Sequence, residues 1–259
     1  FVPESPRWLV RNGKAGRAEK TLRRIGGRKY AEEALSRIKG SLQEESTEVN
    51  FKELLEPGIL RILGLGIFLA VFQQWCGINT VFYYAEEIFT AAGYGVGDIL
   101  LNIVITGSVM LVFTLIAIQK VDRWGRRILM LIGAAGLSMT YLLIGLSYRL
   151  NIQGFPVLVL VVTAIAFYSF TLAPITWVLI SEIFPNRIRG AAVSIAVFSL
   201  WTGSLTLTYT FPFLNRSLGT ANTYWMYAFI CAVGFLVIRR KLPETKGKTL
   251  EEIEIELLR

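Results

Sequence analysis

Six runs of apolar residues constrain this chain more than anything else in it, each approaching or exceeding the roughly 20 residues a helix needs to cross a hydrocarbon core. They fall at about 62–84, 99–119, 128–148, 156–181, 191–211 and 224–238. A bilayer interior offers the backbone no hydrogen-bond partners, so runs of this length must satisfy their own amides as helices. The last run is the shortest, but Arg239, Arg240 and Lys241 follow it and can snorkel while their stems cover apolar surface. A hydrophobic content of 53% and a mean hydropathy of +0.51 place the chain outside the range of ordinary soluble domains. The expected fold is all-α: a polytopic membrane bundle of six transmembrane helices with short cytoplasmic helices.

A net charge of +8 invites a nucleic-acid reading, and the placement of the charges rejects it. Lys and Arg concentrate before residue 62, between Lys120 and Arg127, at Arg187 and Arg189, and after residue 238. The intervening loops carry only Arg149 and Arg216. Basic residues on alternate loops and both ends follow the positive-inside rule, which predicts both termini in the cytoplasm and agrees with an even number of spans. The expected partners are therefore a lipid bilayer and a small molecule, with no nucleic acid.

Three segments follow: a cytoplasmic helical linker domain at 1–61, the six-helix bundle at 62–240, and a cytoplasmic amphipathic helix at 241–259. In the first, Ser5 is an N-cap candidate with Pro6 at the first helical position and Gly13 as a stop. Residues 15–25 and 30–43 have helical spacing, with Leu22, Ile25, Leu35, Ile38 and Leu42 requiring burial. In the last, Thr249-Leu250-Glu251-Glu252 has the form of a capping box, and Leu250, Ile253, Leu257 and Leu258 share a face. No signal peptide is visible, and a chain that opens at Phe1 on a charged stretch is expected to lack the front of a longer protein.

Cys76 and Cys231 both fall inside spans, which argues against an extracellular disulfide framework. The absence of histidine excludes histidine acid–base chemistry and His-containing zinc sites. No acidic pair lies at membrane depth, so an intramembrane enzyme is disfavoured and no cofactor or metal is expected.

The polar exception to this apolar pattern is Gln73-Gln74-Trp75-Cys76-Gly77-Ile78-Asn79-Thr80-Val81-Phe82-Tyr83-Tyr84, in the far half of the first span. Hydrocarbon gives unpaired amides no hydrogen-bond partners, so three carboxamides this close inside a span point to a polar cavity or a polar ligand. None is charged. Amides, which donate and accept, together with aromatic faces suit a neutral polyol, sugars above all. Gln73 and Gln74 leave the helix about 100° apart, so interhelical bonding and ligand contact are both open to them. Gly77 either breaks the helix or permits close packing.

Several motifs resemble the sugar porter family of the major facilitator superfamily. Pro3-Glu4-Ser5-Pro6-Arg7-Trp8-Leu9 is similar to the segment after that family's sixth helix, and 73–84 to its seventh. Asp122-Arg123-Trp124-Gly125-Arg126-Arg127 resembles the loop between the eighth and ninth. Ser181-Glu182-Ile183-Phe184-Pro185 with Arg187 and Arg189-Gly190 resembles the loop after the tenth, and Pro243-Glu244-Thr245-Lys246-Gly247 the closing signature. The ordered set covers nearly the whole chain and implies the C-terminal half of a twelve-helix carrier, partnered by a missing N-terminal half.

The resemblance also implies roles. Gln73, Gln74, Asn79, Trp177 and Trp201 would contact sugar; Tyr83, Tyr84 and Pro174 would gate the pathway. Asp122, Arg126, Arg127, Glu182, Arg189 and Glu244 would form a network of conformational control that locks the outward-open state. Met110 and Leu200 stand where the family often has amides, and Ser169 where facilitative glucose carriers have a glutamate. Those departures bear on which sugar is carried. The implied function is transport of a hexose, pentose or cyclitol across the cell membrane by alternating access. Proton symport and facilitated diffusion are both compatible, symport requiring a carboxylate in the other half. A transporter-like sugar sensor is the alternative from another class.

Overall fold

The computed structural model describes residues 4–44, 51–91, 95–185, 188–248, 252–253 and 256–257. Regular structure among them is helical, with no strand. The motif residues Pro3 and Arg187, the proposed capping residues Thr249, Leu250 and Glu251, and Leu258 lie outside the described residues. Two compact units emerge, Phe1–Phe51 and Lys52–Arg259.

In the first unit Pro6 opens α1 (Pro6–Arg11), where its missing N–H costs nothing, and Gly13 follows the helix's end. The two helical pieces expected next form α2 (Ala15–Glu44), whose backbone leaves helical geometry at Gly27. Leu22, Ala31 and Ala34 make a small core with Leu35 and Ile38 against it. Ile25 departs from the expectation of burial and is 66% exposed. It lies two residues before the break, and the piece beyond Gly27 covers Leu22 but not Ile25.

The second unit holds six helices long and apolar enough to cross a membrane. The first is built from α3 (Pro57–Trp75) and α4 (Ile78–Tyr83), followed by the short α5 (Ala85–Ala91). Next come α6 (Val96–Trp124) and α7 (Arg126–Arg149). The fourth is again in two parts, α8 (Phe155–Phe170) and α9 (Leu172–Glu182). The fifth and sixth are α10 (Arg189–Leu218) and α11 (Thr220–Lys241). Most of these helices outrun the apolar windows in the sequence. Helical hydrogen bonding continues past the hydrocarbon boundary, so Asn215, Arg216 and Ser217 stay in α10 and Arg239–Lys241 complete α11. The boundary between units, at 51/52, precedes the one drawn from hydropathy because Leu54 and Ile59 already belong to the bundle's core.

Packing is most extensive between α7 and α11 and between α3 and α10, while α8 lies against both α6 and α7. Burial grades accordingly, from 61% of the apolar window of the first span to 17% of that of the second. The outer face of α6 leaves Leu100, Leu101, Val104, Leu111, Leu115 and Ile118 uncovered. An apolar face of that length needs hydrocarbon or another protein surface against it.

Candidate functional site

The first span is interrupted where its amides lie. After Trp75 the chain turns through Cys76 and Gly77 before α4 begins. Gly77 has φ 87°, and a Cβ there would stand 2.6 Å from the ring of Tyr227. Only glycine meets both demands, a left-handed backbone and an aromatic ring pressed against it. The two uses the sequence left open for Gly77 therefore coincide. Thr80 donates its hydroxyl to the Gly77 carbonyl at 2.6 Å and secures the start of α4.

Around this break the three carboxamides join end to end. Asn79 Nδ2 donates to Gln74 Oε1. Gln74 Nε2 donates to Gln73 Oε1 at 2.8 Å, and Gln73 Nε2 donates to the hydroxyl of Tyr168 at 2.9 Å. The 100° between Gln73 and Gln74 does not keep their end groups apart, because two flexible side chains bridge it. The chain runs from a half-buried Asn79 through two buried glutamines into a buried tyrosine on α8. Gln73 thus ties two spans together. Each carboxamide NH₂ spends one of its two hydrogens in the chain, and the Asn79 carbonyl is not used in it, so unspent donors and an acceptor remain at its accessible end.

Tyr168 was not singled out from the sequence. The signal available was a tyrosine within an apolar run, next to the departure Ser169, whose buried hydroxyl has no partner among the described residues. Both precede the break in the fourth span. That break falls at Thr171 (φ −126°, ψ −87°), and Pro174 lies in the first turn of α9, where a missing N–H is tolerated. The interruption of helical geometry thus falls three residues before Pro174.

The two tryptophans are not brought against the amides. Trp177 and Trp201 stand on exposed faces of α9 and α10 and make no hydrogen bond or ring contact with the amide chain among the described residues. Trp75, from the amide segment itself, donates its indole N–H to the Gly203 carbonyl at 3.1 Å, two residues from Trp201. Leu200 is buried in the main core, whereas Met110 is exposed. Tyr83 and Tyr84 differ. Tyr84 donates to the Thr208 carbonyl at 3.0 Å with its ring 4.7 Å from that of Phe211, joining the end of α4 to α10. Tyr83 is 59% exposed.

At the opposite end of the bundle the charges converge. Arg126 Nη2 lies 3.0 Å from Asp122 and 3.0 Å from Glu182, which joins α6, α7 and α9. The other oxygen of Glu182 accepts the Thr245 hydroxyl at 2.7 Å. Glu244 accepts backbone N–H groups from Arg126, Arg127 and Lys246 at 2.8, 3.2 and 3.1 Å. A carboxylate there satisfies orphan donors at the start of α7 and complements the positive end of its dipole. Gly125 permits this approach: it has φ +90°, and a Cβ would sit 2.6 Å from the Glu244 carboxylate.

Two arginines of the expected network make no ion pair among the described residues. Arg189 donates from Nε and Nη2 to the Phe184 carbonyl at 3.1 and 3.0 Å, and Arg127 donates to the Arg239 carbonyl at 2.6 Å. Arg239 is in the last turn of α11, whose carbonyls lack intrahelical partners, and Phe184 lies just past the end of α9. At the end of α6, Lys246 likewise donates to the Arg123 carbonyl at 2.6 Å. Thr245, Lys246 and Gly125 all lay in the quoted motifs but were not assigned roles.

With this geometry in place, similarity to known proteins becomes informative. Residues 1–257 match the family model described as sugar (and other) transporter. An arabinose-proton symporter of Bacillus subtilis is 40% identical over 254 residues, covering 98% of this chain and 54% of that protein. A D-xylose-proton symporter of Escherichia coli is 38% identical over 259 residues, covering 98% and 52%. A solved proton:xylose symporter of the major facilitator superfamily, bound to 6-bromo-6-deoxy-D-glucose, superposes with a TM-score of 0.82. It is 37% identical, with 99% of this chain and 55% of that one covered. The chain spans about half the length of the curated relatives it matches.

Proposed function

We propose, from the premise that this chain belongs to the sugar (and other) transporter family, that it forms one half of a membrane carrier for a neutral sugar. The carrier works by alternating access around a site at the break in the first span. The observation that carries this reading is the amide chain Asn79–Gln74–Gln73–Tyr168, an uncharged donor–acceptor array with an accessible end, at a helix break. Sugar hydroxyls, donors and acceptors at once, can take the unspent hydrogens and the Asn79 carbonyl. Trp177 and Trp201, on exposed faces, would close on the sugar from α9 and α10, with Tyr83 as the mobile outer gate and Tyr84 as its anchor.

The substrate class is a pentose, hexose or cyclitol. Relatives include arabinose- and D-xylose-proton symporters and a myo-inositol transporter, which supports that breadth. Leu200, buried in the core, and Met110, exposed, stand where the family often has amides, and that bears on which of these solutes is carried, glucose and xylose being the least favoured. Asp122, Arg126, Glu182 and Glu244 would hold the cytoplasmic helix ends together while the carrier faces outward. Both ends of this segment would lie in the cytoplasm and the carrier in the cell membrane. Coupling to protons would use a carboxylate on the other half.

Counterflow in proteoliposomes containing the whole carrier tests the reading. Preloading with xylose, arabinose, glucose or myo-inositol should drive transient accumulation of the same radiolabelled solute. No counterflow with any neutral sugar or cyclitol would overturn it.

A further inference from the structure

The end of α11 and the start of α7 face each other across an open cavity of about 320 Å³, lined by Arg127, Arg240, Lys241 and Glu256 with Leu242 and Leu257. This volume is within the range of small-molecule sites. Three of its polar residues are cations and one is an acid, and the acid is already engaged: the Glu256 carboxylate pairs with the Lys248 ammonium. Arg127 spends one guanidinium nitrogen on the Arg239 carbonyl. Its Nε is closed to solvent and has no acceptor among the described residues. Arg240 and Lys241 are exposed and have no hydrogen-bond or ion-pair partner among the described residues.

Cations in the last turn of a helix complement its dipole, and that accounts for Arg240 and Lys241 as charges. It does not account for a third cation, Arg127 of the neighbouring helix, lining the same cavity. Three cations around one cavity repel one another, and an anion there would neutralise that charge and accept from the exposed Arg240 and Lys241 donors. The place also matters. The cavity lies where the apolar run of α11 gives way to charge, which is the depth of lipid headgroups when the helix spans a bilayer. Guanidinium forks match phosphate oxygens, and a lysine adds a mobile point charge.

We infer that this cavity binds a phosphate-bearing anion, presented either by an anionic phospholipid or by a free phosphate compound. The occupant would bridge the start of α7 and the end of α11, where Glu244 already accepts from the backbone of Arg126 and Arg127. The inference is independent of which solute the carrier moves.

The test is native mass spectrometry of the whole carrier in detergent, titrated separately with phosphatidylglycerol, phosphatidylcholine and inorganic phosphate. Phosphatidylglycerol should be retained over phosphatidylcholine. Retention should fall roughly 5-fold in Lys241→Gln and about 30-fold in the Arg240→Gln/Lys241→Gln double variant, taking the usual contribution of each basic residue at an anionic surface. Circular dichroism should be unchanged, since both side chains are exposed. Inorganic phosphate binding with the same dependence on Arg240 and Lys241, without lipid retention, would identify the source as a free phosphate. Equal retention of the two lipids, retention unaffected in both variants, or binding of neither lipid nor phosphate would overturn the inference.

Discussion

Glu244→Gln is the sharpest perturbation of the charge network. One Glu244 oxygen accepts from the backbone of Arg126 at 2.8 Å and of Lys246 at 3.1 Å; the other accepts from Arg127 at 3.2 Å. Glutamine keeps one carbonyl oxygen and replaces the other with an NH₂ that faces a donor. At least one charge-assisted bond is lost, worth about 1.5–3 kcal/mol, together with the interaction of a full charge with the α7 dipole, about 0.3–1 kcal/mol. The site is part-buried, so a total of roughly 2–3 kcal/mol is reasonable. If the contact exists only in the outward-facing state, the whole of this shifts the conformational equilibrium inward, by about 30- to 150-fold at the limit. Cysteines placed in the inner and outer vestibules of the whole carrier would report it through labelling rates, faster inside and slower outside. Unchanged labelling at both ends, with the protein intact, would refute the clamp and leave Glu244 as a static helix cap.

Other expected outcomes follow from the same geometry. Gln74→Ala and Asn79→Ala should each weaken sugar binding by about 1–2 kcal/mol in a competition assay without loss of folded protein; unchanged affinity in both would reduce the amides to links between helices. Gly77→Ala should lower thermal stability in detergent, because the left-handed backbone costs about 1–2 kcal/mol and the Cβ meets the Tyr227 ring; an unaltered melting curve would mean the break relaxes freely. Tyr84→Phe should cost about 1 kcal/mol of stability through the lost bond to Thr208, while Tyr83→Phe should cost almost none; equal effects in a thermal-shift assay would contradict the division between anchor and gate.

The spans were legible because hydrocarbon imposes length and apolarity directly, and neither depends on which residues later touch. Their ends were less so: Asn215–Ser217 read as loop but continue α10, since a helix outside the apolar layer tolerates polar residues. At Gly77 a break was one of two readings, because glycine suits both a left-handed backbone and close packing. Thr171 offered no such reading, because nothing in a threonine marks an irregular backbone and Pro174, the visible signal, fits the first turn of α9. The amides were identifiable as a cluster, but Tyr168 is 95 residues from Gln73, a pairing that no local spacing encodes. Among the charges, Arg189 was placed in the network by its sign, and the Phe184 carbonyl five residues away is its acceptor. Glu244 was placed in the network by its charge, and its donors are backbone amides at a helix start, which charge counting does not see.

The central claim is that sugar engages the accessible end of the amide chain at the break in the first span. A structure of the whole carrier with bound xylose or arabinose tests it most directly. The account expects sugar hydroxyls within about 3 Å of the Asn79 and Gln74 carboxamides, with the Gln73–Tyr168 bond retained behind them. A sugar bound elsewhere, with the chain from Asn79 to Tyr168 intact and untouched, would contradict it.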